Sequence, residues 1–196
     1  MSLRPDLVAC WLFRLDAAGT PEILLIRRAP DRMYPGLWQC VTGKLEAGEA
    51  IAAAALREVA EETGLGAADL EAFYETDLVN WFHEASLDAL LCEAVFAARV
   101  RAGAEATLSH EHDDVRWLPV EEARALVTWP AYERAIETVV WLLANPRKAA
   151  TFRLPDHERH HAAIAYSRPP GNTDPDRDPS GAALALPRLR IVDRRH

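Results

Sequence analysis

Lysine is nearly missing from this 196-residue chain: of 22 basic side chains, only Lys44 and Lys148 are not arginine. Cysteine is scarce as well. Cys10, Cys40 and Cys92 are odd in number and show no C-x-x-C spacing, which argues against a disulfide framework or a structural zinc site and fits a reducing cytosol. They read as small buried residues. Long apolar runs are absent too. The stretch Leu7 to Phe13 is closed by Arg14 and Asp16, too early for a secretory leader or a spanning helix, and nothing else reaches about 18 uncharged apolar residues. A soluble, cytoplasmic protein with no membrane partner is expected. Nor is there a basic excess. Against the 22 Lys+Arg stand 30 Asp+Glu, a net charge of -8, so the electrostatic footprint of a duplex-binding protein is lacking.

What remains is ordinary globular material, 49% hydrophobic and 27% charged, enough for one domain with an appendage. The first fifteen residues read as a strand. A turn cluster from Asp16 to Pro21 leads to a buried strand, Ile23 to Ile26, paired with the first. A loop rich in Pro and Gly runs to Trp38, and Gly43 to Gly48 carries turn signals. Ala50 to Thr63 is the clearest helix, Ala-rich and stopped by Gly64. Residues 73–82 and 91–100 read as strands, Val115 to Leu118 as a short one. Pro119 opens a helix to about Val127, and another runs from about Pro130 to Asn145, where Pro146 stops it. This order predicts a mixed α/β domain over residues 1–146.

Residues 147–196 differ, holding six of the thirteen prolines. They read as a C-terminal extension, partly disordered between Arg168 and Gly181, with Leu184 to Val192 able to dock back as a short strand. His157, His160 and His161 lack a completing Cys or carboxylate at ligand spacing, so a polar mobile segment is preferred to a second metal site. The charge is divided unevenly. The extension has ten basic and six acidic residues; residues 1–146 have 12 and 24. The acidic excess belongs to the domain.

Within the 50–63 helix, Glu58, Glu61 and Glu62 fall on one face, since offsets of three and four return to the same side. Ala52, Ala55, Leu56 and Val59 form the neighbouring apolar face. Stacked carboxylates repel, and their usual meaning is a solvated surface. They make sense otherwise if a hard divalent cation sits among them, because Mg²⁺ prefers oxygen ligands and shares them with substrate phosphates.

The surrounding residues decide between these. Gly43, Glu49 and Arg57-Glu58-Val59-Ala60-Glu61-Glu62-Thr63-Gly64-Leu65 spell G-x5-E-x7-R-E-U-x-E-E-x-G-U, where U is a bulky aliphatic residue. Nine constrained positions would be met by chance in roughly one such chain in a million. This pattern is the Nudix box, and the chain resembles the Nudix hydrolases. The resemblance implies an α/β/α sandwich with a mixed sheet. It also implies a loop–helix–loop that binds Mg²⁺ (or Mn²⁺) and a diphosphate, and water attack on phosphorus in a nucleoside diphosphate-type substrate. Carried over by position, Glu58 and Glu62 are metal ligands, Glu61 is a ligand or the base that positions water, and the Gly43 carbonyl is a further ligand. Arg57 pairs with Glu49 and orients the helix. Lys44 is a candidate to neutralise a phosphate oxygen, the alternative being a solvated loop lysine. Strand alternation lets only one of Arg27 and Arg28 face phosphate, with a lean to Arg28.

The flanks are similar to dihydroneopterin triphosphate pyrophosphatases. Trp38-Gln39-Cys40-Val41-Thr42-Gly43, the stretch Glu111 to Leu118, Trp129 and Arg134-Ala135-Ile136-Glu137 carry that similarity over about residues 7–145. It implies Glu111 as a metal ligand outside the box and an NTP-like or dihydroneopterin triphosphate-like substrate. Trp38, Trp81 and Phe82 are candidates for stacking on a base or pterin, or for packing. Other branches match less well. No proline stands between Pro35 and Pro119, where ADP-ribose pyrophosphatases tend to have one. The array of NADH-directed relatives is missing. Trp81 and Phe82 stand where dinucleoside polyphosphate hydrolases tend to place a tyrosine. The segment His83 to Asp88 is short, so a drift toward ordinary (d)NTPs or RNA 5′ ends remains open. So does a nucleotide- or partner-binding module without turnover. Many relatives form homodimers, which nothing in the sequence tests.

Overall fold

A computed structural model describes residues 3–155; the expected extension beyond that point, with its histidines and its 184–192 strand, lies outside the described residues. Strand β1 (Leu7–Leu15) organises the rest. Val8, Cys10 and Leu12 point to one side and Ala9, Trp11 and Phe13 to the other, all essentially fully buried, so the sheet must be covered on both faces. On one side lies α1 (Ile51–Thr63), contributing Ala54, Ala55 and Val59. On the other lie α2 (Val120–Leu126), α3 (Pro130–Ala144) and α4 (Pro146–Phe152), contributing Ala123, Ile136, Val139 and Ala149. The expected α/β/α sandwich with a mixed sheet is the fold. Ile136 sits at the centre of the second layer and is 0% exposed. Ile136→Ala should lower the free energy of unfolding by about 3 kcal/mol, the range for truncating a well-packed core side chain, as read by urea titration.

Seven strands form the sheet. The others are β2 (Pro21–Arg28), β3 (Trp38–Gln39), β4 (Val41–Lys44), β5 (Leu70–Glu84), β6 (Ala89–Val100) and β7 (His112–Pro119). Only the β1–β6 pairing is parallel; the other ladders are antiparallel. One edge of β1 runs along β6. Its other edge is divided, with β4 beside Leu7 to Cys10 and β2 beside Phe13 to Leu15. Strand β2 pairs with β3 at Ile26 and Arg27 and with β7 along its length. The sheet therefore forks between β1 and β2, and the chain crosses the fork at the fully buried Cys40.

Several expected boundaries shift. Between the loop expected up to Trp38 and the turn signals from Gly43, where no strand is expected, lie β3 and β4, because β2 and β1 supply partners that local propensity does not reveal. The last strand starts at His112 instead of Val115, which brings its first residues up to the box. The middle strands are longer than expected and carry a bulge between Glu75 and Leu78, where Asp77 adopts φ 58°. Pro146 does not end the packing. It opens α4, and the chain then lies along β5, with the Leu154 N–H donating to the Phe73 carbonyl at 2.8 Å. Residues 146–154 thus pack against the domain.

Candidate active site

Arg57 is the hub of the box. Its Nε and Nη2 donate to the two oxygens of Glu49 at 2.9 and 3.0 Å, and Nη2 also reaches the Lys44 carbonyl at 3.0 Å. This bidentate fork is the strong form of a charge-assisted pair, and it ties α1 to the 44–49 loop as the sequence leads one to expect. The same guanidinium does more. Nη1 donates to Glu58 Oε1 at 2.8 Å and to Glu61 Oε2 at 3.1 Å, holding two of the three box glutamates by itself.

The third, Glu62, is buried where α1 meets the fork. Its Oε2 accepts the Thr42 N–H at 3.3 Å. Burial pushes its pKa up to about 8, the Thr42 bond works against that, and the charges of Glu58 and Glu111 add to it. Burial also raises the pKa of Glu58 despite the Arg57 hydrogen bond, again with Glu111 contributing. Glu111 is therefore within electrostatic reach of both, although it comes from the turn before β7. Its backbone carbonyl accepts the Ala29 N–H at 3.0 Å, and its Oε1 lies 3.7 Å from Arg32 Nη2. Glu58, Glu61, Glu62 and Glu111 therefore form one electrostatically linked group, through Arg57 and through their mutual charges.

Gly43 belongs to it for a steric reason. A Cβ at this position would coincide with the end of the Glu58 side chain, so only glycine lets that carboxylate lie against β4.

By chemistry this cluster fits a hard divalent cation. The donors are all oxygen, several are crowded and partly desolvated, and positive charge is what relieves both penalties. Among the described residues, no three His, Cys, Asp or Glu side chains are already converged as ligands, because Glu58 and Glu61 are turned to Arg57. Each gives Arg57 only one carboxylate oxygen, so Glu58 Oε2 and Glu61 Oε1 are left to take part in ligation.

The expected substrate residues divide. Arg28 lies on the carboxylate side: its charge opposes the rise at Glu62, its Nε donates to the Met33 carbonyl at 2.6 Å, and its Nη1 to Gln39 Oε1 at 3.3 Å. Arg27 turns elsewhere, to Asp113 at 2.7 Å. Lys44 ends β4 in an exposed position. Of the two alternatives for Trp38, stacking or packing, its surroundings favour packing: it is 9% exposed, belongs to the core cluster shared with α3, and has the guanidiniums of Arg116 and Arg27 at 4.7 and 5.7 Å from its ring centre. Trp81 and Phe82 are exposed on the β5–β6 hairpin.

Other groups escaped the sequence reading. Gln39 Nε2 donates to Thr42 Oγ1 at 3.2 Å, completing a relay from Arg28 through Gln39 and Thr42 to Glu62. His112 is 6% exposed, and neither ring nitrogen has a partner among the described residues. Burial and the Arg28 charge hold its pKa down to about 4, so the ring is neutral. Glu93 on β6 is equally buried. Gln39, Thr42 and His112 lie in the flanking stretches that carry the family similarity, without a role attached to them, and nothing in the chain marked Glu93.

The NUDIX domain family model matches residues 4–142. Among curated proteins, an octanoyltransferase of Myxococcus xanthus is 42% identical over 102 residues, 52% of this chain. The matched segment spans 28% of that protein, and the octanoyltransferase activity is that of the longer protein. Among solved structures, a putative NUDIX hydrolase of Listeria monocytogenes superposes with a TM-score of 0.62 at 27% identity, covering 73% of this chain and 97% of that one. The E. coli dihydroneopterin triphosphate pyrophosphohydrolase gives 0.58 at 26% identity, covering 68% and 93%. A C. elegans Ap4A hydrolase gives 0.62 at 20% identity, covering 72% and 99%; at that identity the likeness is one of fold.

Proposed function

The chain belongs to the NUDIX domain family, and we propose that it is a hydrolase acting on phosphoanhydride bonds whose substrate is an NTP-like or dihydroneopterin triphosphate-like compound. The observation that carries this reading is the electrostatic linkage of Glu58, Glu62, Glu111 and Arg28, together with the Arg57 guanidinium that holds Glu49, Glu58 and Glu61. An anionic diphosphate cannot approach four carboxylates unaided. A bound Mg²⁺ would neutralise phosphate oxygens and acidify water, with Glu58, Glu62, Glu111 and the Gly43 carbonyl as its holders. The 26% identity to the pterin triphosphate enzyme, spread over most of the domain, supports the substrate class.

In this reading Arg28 and Lys44 bind phosphate oxygens, Arg28 held in place by Met33 and Gln39. Glu61 is the most exposed of the box glutamates, with 59% of its side chain open to solvent. It orients the attacking water and takes its proton. The water oxygen forms a new bond to phosphorus, the bridging P–O bond breaks, and the bridging oxygen leaves on the second phosphorylated product. No helix among the described residues is long and apolar enough to cross a membrane, and a cytoplasmic site of action is part of the proposal.

The test is chromatographic separation of the products from a panel of NTPs, dihydroneopterin triphosphate, ADP-ribose and dinucleoside polyphosphates, which detects pyrophosphate or phosphate from the triphosphates and the two phosphorylated fragments from the others. With Mg²⁺ or Mn²⁺, turnover is expected on the triphosphates, and excess EDTA should silence it. No cleavage of any compound would favour a binding module instead.

A further inference from the structure

We propose that Glu93, held by Asn80, reads the heterocycle of the substrate by accepting two parallel N–H donors from a 2-amino-oxo ring such as guanine or a pterin. This rests on the reading that the box takes the substrate's phosphates, since it assigns the other end of the same molecule.

Asn80 and Glu93 face each other in the β5–β6 ladder. Alternation places them on the side of the sheet where Leu78 and Val95 pack toward α3. Asn80 Nδ2 donates to Glu93 Oε2 at 2.8 Å. Among the described residues nothing donates to Oε1. Unlike the His112 nitrogens, this oxygen is not among the fully enclosed unpartnered atoms, so it opens onto accessible space although the residue is only 6% exposed. A buried carboxyl with an idle oxygen costs stability. N–H donors arriving with a ligand would offset that cost and favour the ionised form.

Glu93 is also placed for the task. Its charge and that of Glu62 both act on the Cys40 thiol at the fork, and both act on Tyr132 together with Arg28. In the sheet Glu93 stands opposite Leu7 of β1, whose other neighbour is Lys44 at the end of β4. Aromatic surface is close by. Tyr132 packs edge-on against Trp129 at 5.1 Å, Trp129 against the half-exposed Tyr34 at 5.7 Å, and Phe82, partly exposed, follows Asn80 on the same sheet face.

The chemistry selects one class of ring. A carboxylate accepts a fork of two N–H groups as it does from arginine. Guanine and pterins offer that fork in the ring N–H beside the 2-amino group. Adenine and cytosine place a ring nitrogen lone pair beside their amino group, and uracil flanks its single N–H with two carbonyls. Each of these sets a lone pair against the carboxylate.

The experiment is equilibrium binding of GMP, AMP, CMP and UMP to the full-length protein in the presence of Mg²⁺, with neopterin as the pterin probe. GMP should bind about 10- to 100-fold more tightly than the other three, the discrimination of one bidentate pair. Glu93→Gln should bring GMP to the level of AMP while leaving AMP unchanged. Asn80→Ala, which unpins the carboxylate without removing it, should lose part of the preference and serves if Glu93→Gln fails to fold. Equal affinities in the parent, a preference that survives in Glu93→Gln or in full in Asn80→Ala, or no binding by any of the five compounds would overturn the assignment. Equal Mg²⁺-dependent hydrolysis of all four NTPs would remove the heterocycle reading and leave the hydrolase standing. Selective GMP binding by a chain that releases no phosphate would do the reverse.

Discussion

Glu62→Gln is expected to lower kcat by at least about 100-fold, the scale for losing a ligand or catalytic group, while leaving the free protein no less stable. The two effects separate because the carboxylate is expensive in the absence of a cation. It is 6% exposed, accepts one long hydrogen bond, and faces the charges of Glu58 and Glu111. An amide of the same shape keeps the Thr42 bond and removes the charge. The pH dependence has a definite sign. A carboxyl whose pKa rises from 4.5 to about 8 on folding is protonated more readily in the folded chain than in the unfolded one. Its contribution is fully present below pH 4.5 and is lost as pH climbs toward 8. Without added metal, the parent should therefore melt at progressively lower temperature between those limits. Glu62→Gln should show a flatter profile and a higher Tm at pH 8. Steady-state rates at saturating Mg²⁺, with thermal unfolding from pH 5 to 8, check both halves. Near-normal kcat would sink the role given to Glu62, and a lower Tm at pH 8 would sink the account of its burial.

The box was legible because its information is local. Three glutamates at helical spacing, an Ala-rich run and a terminal glycine determine one helix and one face of it. Gly64 takes the left-handed conformation at φ 68° and its N–H donates to the Ala60 carbonyl, as a stop signal at that place requires. The α/β/α layering was also within reach, since β1 and β2 are apolar on both faces and demand cover on both. What stayed hidden depends on register between distant segments. β3 and β4 exist because β2 and β1 pair with them, and that pairing is what buries Trp38. Asn80 meets Glu93 only through a ladder whose bulge at Glu75 to Leu78 shifts every later pair; without the bulge a different residue would face Glu93. His112 reaches the site because β7 starts three residues before the expected strand, opposite Arg28. Local patterns therefore marked the residues expected to handle phosphate. The groups placed to meet the rest of the substrate are set by sheet register.

Gly43→Ala should cost nearly as much activity as losing Glu58 itself, about 100-fold or more in kcat, with little change in stability. The added methyl would occupy the space now filled by the end of the Glu58 side chain. Something must move, and the flexible carboxylate will yield before β4 does, because Gly43 is paired with Val8 in the β1–β4 ladder. Alanine is acceptable in extended backbone, and it restricts the unfolded chain by about 0.4–1 kcal/mol, which offsets part of any strain. Glu58 would swing off Arg57 Nη1, ending the 2.8 Å pair, while the fork from Arg57 to Glu49 stays intact. A double-mutant cycle separates this from a general disturbance of the loop. If the glycine acts by giving Glu58 its place, adding Gly43→Ala to Glu58→Ala should cost almost nothing further in kcat. Multiplicative losses in the double variant would show that the Gly43 backbone contributes separately, and the steric explanation would then fail as the main cause.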